Sequence, residues 1–135
     1  MAALDAAMVS KILNATTSIT AFSTLTTAMK VRLASTASTA SAPGTEITGT
    51  GYTAGGAVIA FTTSSAGSAV TGPTGSAINW TNGSGSPWSM QSLDITDSAG
   101  TPIRTWFGNF TGAPVAVAAG NVFQLAVNAV SIALS

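Results

Sequence analysis

Apolar positions at the start of the chain fall in a helical rhythm. Leu4, Met8 and Ile12 recur four residues apart, which places them on one face of an α-helix. Asp5 falls in the first turn, where the helix dipole favours an acid. The spacing predicts a helix over residues 2–14. A helix this short, with so narrow a stripe, is marginal alone. Leu4, Met8 and Ile12 must therefore be covered, either by the rest of the domain or by a neighbouring subunit, and they are candidate interface residues.

Beyond residue 14 the helical period disappears. β-Branched and aromatic residues come in short runs, separated by clusters of Gly, Pro, Asn and Ser. Met29, Val31 and Leu33 alternate with Lys30 and Arg32, a strand with one dry face and one charged face. Further strands are predicted at residues 57–62, 76–80, 88–96, 103–107 and 122–134, for about seven or eight strands in all. The tract Ala34 to Pro43 is nearly all Ala, Ser and Thr, and reads as a mobile loop or edge. Within 88–96 the apolar phase slips between Trp88/Met90 and Leu93/Ile95, which predicts a bulge near Gln91 and Ser92. Asp97 to Pro102 reads as a turn, because Asp can bond the backbone ahead of it and Gly tolerates positive φ. Asp94 to Arg104 is then a hairpin. A second phase change, between Phe123/Leu125/Val127 and Val130/Ile132/Leu134, predicts a turn or bulge at Asn128 to Ala129. Many strands without interspersed helices predict a mainly β fold: an antiparallel β-sandwich over residues 15–135, preceded by the short N-terminal helix of residues 1–14.

Composition adds the next constraint. A chain of 135 residues is expected to form one domain with one core. Charged residues make up 6% of it, against about 25% in an ordinary soluble domain. Its surface must be built from Ser, Thr, Asn and Gly. With a net charge of zero, little repulsion keeps copies apart, and association is favoured. The cations are Lys11, Lys30, Arg32 and Arg104, too few and too scattered for a phosphate-tracking stripe, so nucleic acid is not an expected partner. Cys is absent, which removes disulfides and thiolate chemistry. The N-terminal stretch does not read as an export signal, since it carries Asp5 where basic residues belong. No apolar run approaches the ~20 residues of a membrane span.

Candidate chemistry is sparse. His is absent as well as Cys, so the usual general base and metal ligands are missing, and neither an enzyme nor a cofactor is expected. Of four carboxylates, Asp5 belongs to the helix, Glu46 to a turn-rich stretch, and Asp94 and Asp97 to the hairpin. Gly49 to Gly56 imitates a dinucleotide loop, but a β-type run follows where a helix is needed to aim amides at a pyrophosphate. The Asn-x-Ser/Thr triplets at Asn14, Asn79, Asn82 and Asn109 read as chance in a Thr-rich chain. Trp80 and Trp88 bracket the loop from Thr81 to Pro87. They are either core residues or an aromatic platform for a sugar or a partner, and so join the candidate interface residues.

The ordered run Gly44-Thr45-Glu46-Ile47-Thr48-Gly49-Thr50-Gly51-Tyr52 is followed by a β run and by Asp97-Ser98-Ala99-Gly100-Thr101-Pro102-Ile103. Trp106-Phe107-Gly108, Ala119-Gly120-Asn121-Val122-Phe123 and a closing apolar strand come after them. In this order of motifs the chain resembles a family of small tailed-bacteriophage virion proteins. It departs from that pattern at Thr53-Ala54, where relatives often carry a basic residue. The resemblance implies a virion structural protein, foremost a capsid decoration protein on the outer surface of the phage head. Its expected partners are other copies of itself, as a homotrimer, and a major capsid protein. A tail-fibre or minor tail subunit is the alternative, and a carbohydrate-binding module the third reading.

Overall fold

The computed structural model describes residues 3–17, 27–64 and 69–133. In chain order the elements are β1 (Ala3–Leu4), α1 (Ala6–Thr16), β2 (Met29–Ala34), β3 (Ala57–Val58), β4 (Val70–Gly72) and β5 (Ile78–Thr81). They continue with β6 (Trp88–Met90), β7 (Ser92–Asp97), β8 (Arg104–Asn109), β9 (Val115–Val117), β10 (Val122–Leu125) and β11 (Val130–Ile132). The chain is mainly β, and among the described residues it has one short helix, near the N-terminus, and only antiparallel strand pairs.

One sheet holds five strands in the order β1-β8-β7-β2-β3. Three two-stranded ladders, β10-β5, β11-β4 and β6-β9, make up the rest. A single apolar cluster joins Val31, Leu33, Leu93 and Ile95 of the large sheet to Trp80, Trp88, Met90, Val117, Leu125, Val130 and Ile132 of the ladders. Side chains from two β layers thus meet in one core, the arrangement of a β-sandwich.

β7 is the central strand, and all six of its residues are buried. Leu93 and Ile95 belong to the apolar core. Ser92, Asp94 and Thr96 alternate with them and therefore point to the opposite face of the sheet. There the tract after Ala34 covers Ser92 and Asp94, so the expectation of a mobile loop or edge is corrected. Ser38 is buried and its hydroxyl donates to Asp94 Oδ1 at 2.8 Å, lies 2.9 Å from Ser92 Oγ, and accepts from the Gly44 amide. Small polar side chains seldom anchor an apolar core, but they can satisfy a buried carboxylate.

The phase slip after Met90 marks a change of sheet rather than a simple bulge. β6 pairs with β9, whereas β7 pairs with β2 and β8. Gln91 lies between them, donating its amide to Ala34 and accepting from Phe110. The observed ladder irregularity lies elsewhere: Ile95 pairs with Trp106 and Thr96 with Arg104, leaving Thr105 as the extra residue. The hairpin turn is as expected, with Asp97 Oδ1 accepting from the Ile103 amide at 2.7 Å. Asn128, at φ 60°, turns the chain between β10 and β11, in the left-handed region that Asn tolerates better than most residues.

The predicted helix 2–14 is also corrected. Asp5 is extended, and its side chain accepts from the Ala7 amide at 2.8 Å. It is thus an N-cap, and it delays the start of the helix to Ala6. Leu4 lies before that cap, in β1, paired with Trp106.

Candidate docking surface

Because Asp5 caps α1 and Leu4 pairs into the sheet edge, the N-terminal segment crosses β8 as a strap. Met8 is 5% exposed, while Leu4 and Ile12 are half-buried. These three residues face an apolar cleft of about 290 Å³, whose other walls include Met29, Ile95, Trp106 and Ile132. The stripe read from the sequence therefore lies against the body of its own chain. What the helix turns outward is a second apolar pair one position on, Val9 at 39% and Leu13 at 56% exposed. They are four residues apart and share a face.

Arg104 fixes this strap. Its Nε and Nη2 donate to Asp5 Oδ2 at 2.9 and 2.5 Å. Nη1 donates to the carbonyl of Ala42 at 2.8 Å and reaches Asp94 Oδ1 at 3.4 Å, while Nη2 also donates to the Thr39 carbonyl at 2.6 Å. The guanidinium lies 5.1 Å from the centre of the Phe107 ring, within cation–π range. One arginine thus joins the strap, the 38–44 loop and the central strand. Planar, forked donors suit such a multi-way contact, which a lysine could not reproduce. Backbone bonds run alongside, from the Asp5 amide to Thr105 and from the Ala6 amide to Ala40. The sequence reading missed this cluster. The available signal was that the Asp94–Arg104 hairpin carries opposite charges on facing strands.

Trp80 and Trp88 are not an exposed platform, and their reading as interface residues is corrected. Both belong to the core, 4% and 5% exposed. Trp80 packs on Phe123, its partner across the β5-β10 ladder, with ring centres 5.9 Å apart. Trp88 meets Tyr52 edge to face at 6.2 Å. Between them the loop is built inward around Asn82, which is fully buried and donates to the carbonyls of Val117 and Ser86. Its Oδ1 accepts from the amide and hydroxyl of Ser84.

The Gly44 to Tyr52 motif has a structural role as well. Tyr52 donates its hydroxyl to Glu46 Oε1 at 2.8 Å and accepts from the Leu33 amide at 3.2 Å. The Gly55 amide donates to the same Glu46 oxygen, and Arg32 Nε lies 3.6 Å from Oε2. Burial pushes the Tyr52 phenol well above its ordinary range, and the neighbouring Glu46 carboxylate adds to the shift. Gly51, at φ 92°, passes so close to the Thr81 carbonyl that a Cβ has no room.

The four carboxylates are thus engaged. Asp5 and Asp94 hold Arg104, Asp97 holds the hairpin turn, and Glu46 holds Tyr52 and Gly55. No helix among the described residues is long and apolar enough to cross a membrane. The chain matches no protein-family model and no curated protein. What the geometry offers is a short helix held by a nearly buried arginine, with Val9 and Leu13 on its outer face.

Proposed function

We propose that this chain is a non-catalytic structural subunit of a tailed-phage virion, a decoration protein that docks on the outside of the head and touches the major capsid protein through α1. The observation that carries the reading is the Val9–Leu13 pair, held outward on a helix whose inner side is latched by Arg104 to Asp5. A helix presenting anchors at i and i+4 suits insertion into an apolar groove. The anchors are prepositioned, so little side-chain and segment ordering is needed on docking.

Two further observations support it. The order of motifs from Gly44 to Phe123 resembles that of small virion proteins. A chain in which 6% of residues are charged also makes repeated modest contacts less sensitive to salt, and many such contacts gain strength by avidity. Quantitative mass spectrometry of purified particles tests the proposal. Hundreds of copies per head are expected; a handful confined to the tail would replace it with a tail subunit, and absence from particles would end the virion reading.

A further inference from the structure

We propose that the strap of residues 3–17 docks on the body of a second copy as well as on its own, so that neighbouring subunits exchange N-termini. The assembly reading above supplies only the expectation that copies meet.

The groups that receive the strap are also held by contacts outside it. Arg104 is held by the Ala42 and Thr39 carbonyls and by Asp94, all outside the strap. The Thr105 carbonyl, which accepts from Asp5, belongs to the bulged residue of β8. The Ala40 carbonyl that accepts from Ala6 lies in the 38–44 loop, which is fastened to the sheet through Ser38 and Asn109. A preorganised receptor binds its segment with little further ordering.

The strap itself is lightly packed. Met8 is the one buried residue of α1, and a cleft of about 290 Å³ remains at the Leu4-Met8-Ile12 face. Its pairing with β8 spans two positions. Release therefore disrupts far less apolar contact than opening the core. The link also permits exchange: nine residues, 18–26, lie between the C-cap Thr17 and Thr27, whose hydroxyl accepts from the Ser98 amide, and a stretch of that length can span at most about 30–32 Å. Covalent connection alone does not confine the strap to its own body. Docking in trans would reuse the Asp5–Arg104 latch, the β1-β8 ladder and the Met8 contact unchanged, which is why exchange of an identical element is a low-cost route to association. Effective concentration favours the cis form in dilute solution and the trans form where copies are crowded.

Because the chain lacks Cys, introduced thiols report the docking without background. Ala3 pairs with Phe107 across β1 and β8, so full-length Ala3→Cys and Phe107→Cys proteins are mixed at high concentration and oxidised. Exchange predicts a several-fold excess of the mixed, disulfide-linked dimer over that from Ala3→Cys mixed with Thr101→Cys, a position in the hairpin turn. It further predicts that the Ala3→Cys/Phe107→Cys double variant links between chains, in a proportion rising with concentration. A mixed dimer no more abundant than the Thr101→Cys control overturns the proposal. Both variants keep the Asp5–Arg104 ion pair, Phe107→Cys removing only the ring beside the guanidinium, and neither readout depends on whether the protein is found on a virion.

Discussion

Arg104 and Asp5 stand ninety-nine residues apart in the chain, yet two guanidinium nitrogens of one share a single carboxylate oxygen of the other. On the same arginine, Nη1 reaches Asp94, which is fully buried, and Asp94 Oδ2 has no hydrogen-bond partner among the described residues. The arginine is thus the main compensation for a charge that water cannot reach. Substituting Arg104→Met keeps much of the side-chain bulk but leaves that carboxylate without its cation, with only the Ser38 hydroxyl donating to it. The expected loss is about 3–5 kcal/mol, the range for breaking a buried pair by removing one partner. Urea unfolding measures it, and a loss below about 1 kcal/mol, the size typical of an exposed pair, would contradict the role given to Arg104.

Trp80 and Trp88 are predicted to behave as core. Trp80→Ala and Trp88→Ala should each cost about 3–5 kcal/mol of folding stability. Val9→Ser and Leu13→Ser, which alter exposed positions, should stay within about 0.5 kcal/mol of the parent. Thermal or chemical denaturation of the four variants separates these classes.

The two sets of residues show how much could be read from the sequence. Strand positions, the Asp97 turn and the reversal at Asn128 follow from local patterns, because alternation, side-chain-to-backbone bonds and tolerance of positive φ act over a few residues. The slip at Gln91 was visible, but a bulge and a change of sheet give the same one-residue phase shift. The spacing of Leu4 fits the helix, but the Ala7 amide donates to Asp5 Oδ1, and this cap overrides that spacing. The burial of Ser38 could not be read locally, since the carboxylate it serves lies 56 residues away. Trp80 and Trp88 fit core and platform equally well until the ladders that cover them are known. The outward pair Val9 and Leu13 was hidden for a related reason: the helix carries apolar residues on adjacent stripes, and packing decides which one is covered.

Tyr52 gives a pH dependence of defined sign. Its folded form holds the proton more tightly than the unfolded chain, whose phenol titrates near pH 10. Above about pH 10 the unfolded state loses its proton first, so stability falls as pH rises. At neutral pH, Tyr52→Phe should cost about 1–3 kcal/mol, because the Leu33 amide loses its acceptor and Glu46 its donor. That penalty should shrink above about pH 10, where the wild type weakens for a reason the variant lacks. Tyr52 is the only tyrosine, so its phenolate absorbance follows the titration directly. An ordinary titration near pH 10 in the folded protein would contradict its burial.

Two glycines with similar backbones distinguish strain from crowding. Gly75 has φ 81° and open space where a Cβ would stand, whereas a Cβ on Gly51, at φ 92°, would strike the Thr81 carbonyl. Gly75→Ala should cost about 1–2 kcal/mol, the price of a left-handed conformation alone. Gly51→Ala should cost clearly more. Equal losses by denaturant titration would show that the Gly51 loop moves freely away from β5.

We propose that the outer face of α1 holds the subunit to its shell. The most direct test is the occupancy of the Val9→Ser/Leu13→Ser double variant on purified phage heads, measured beside the melting temperature of the free protein. A binding loss of at least about 2 kcal/mol is expected with the melting temperature little changed, the signature of an interface anchor. Full occupancy by the variant would contradict it.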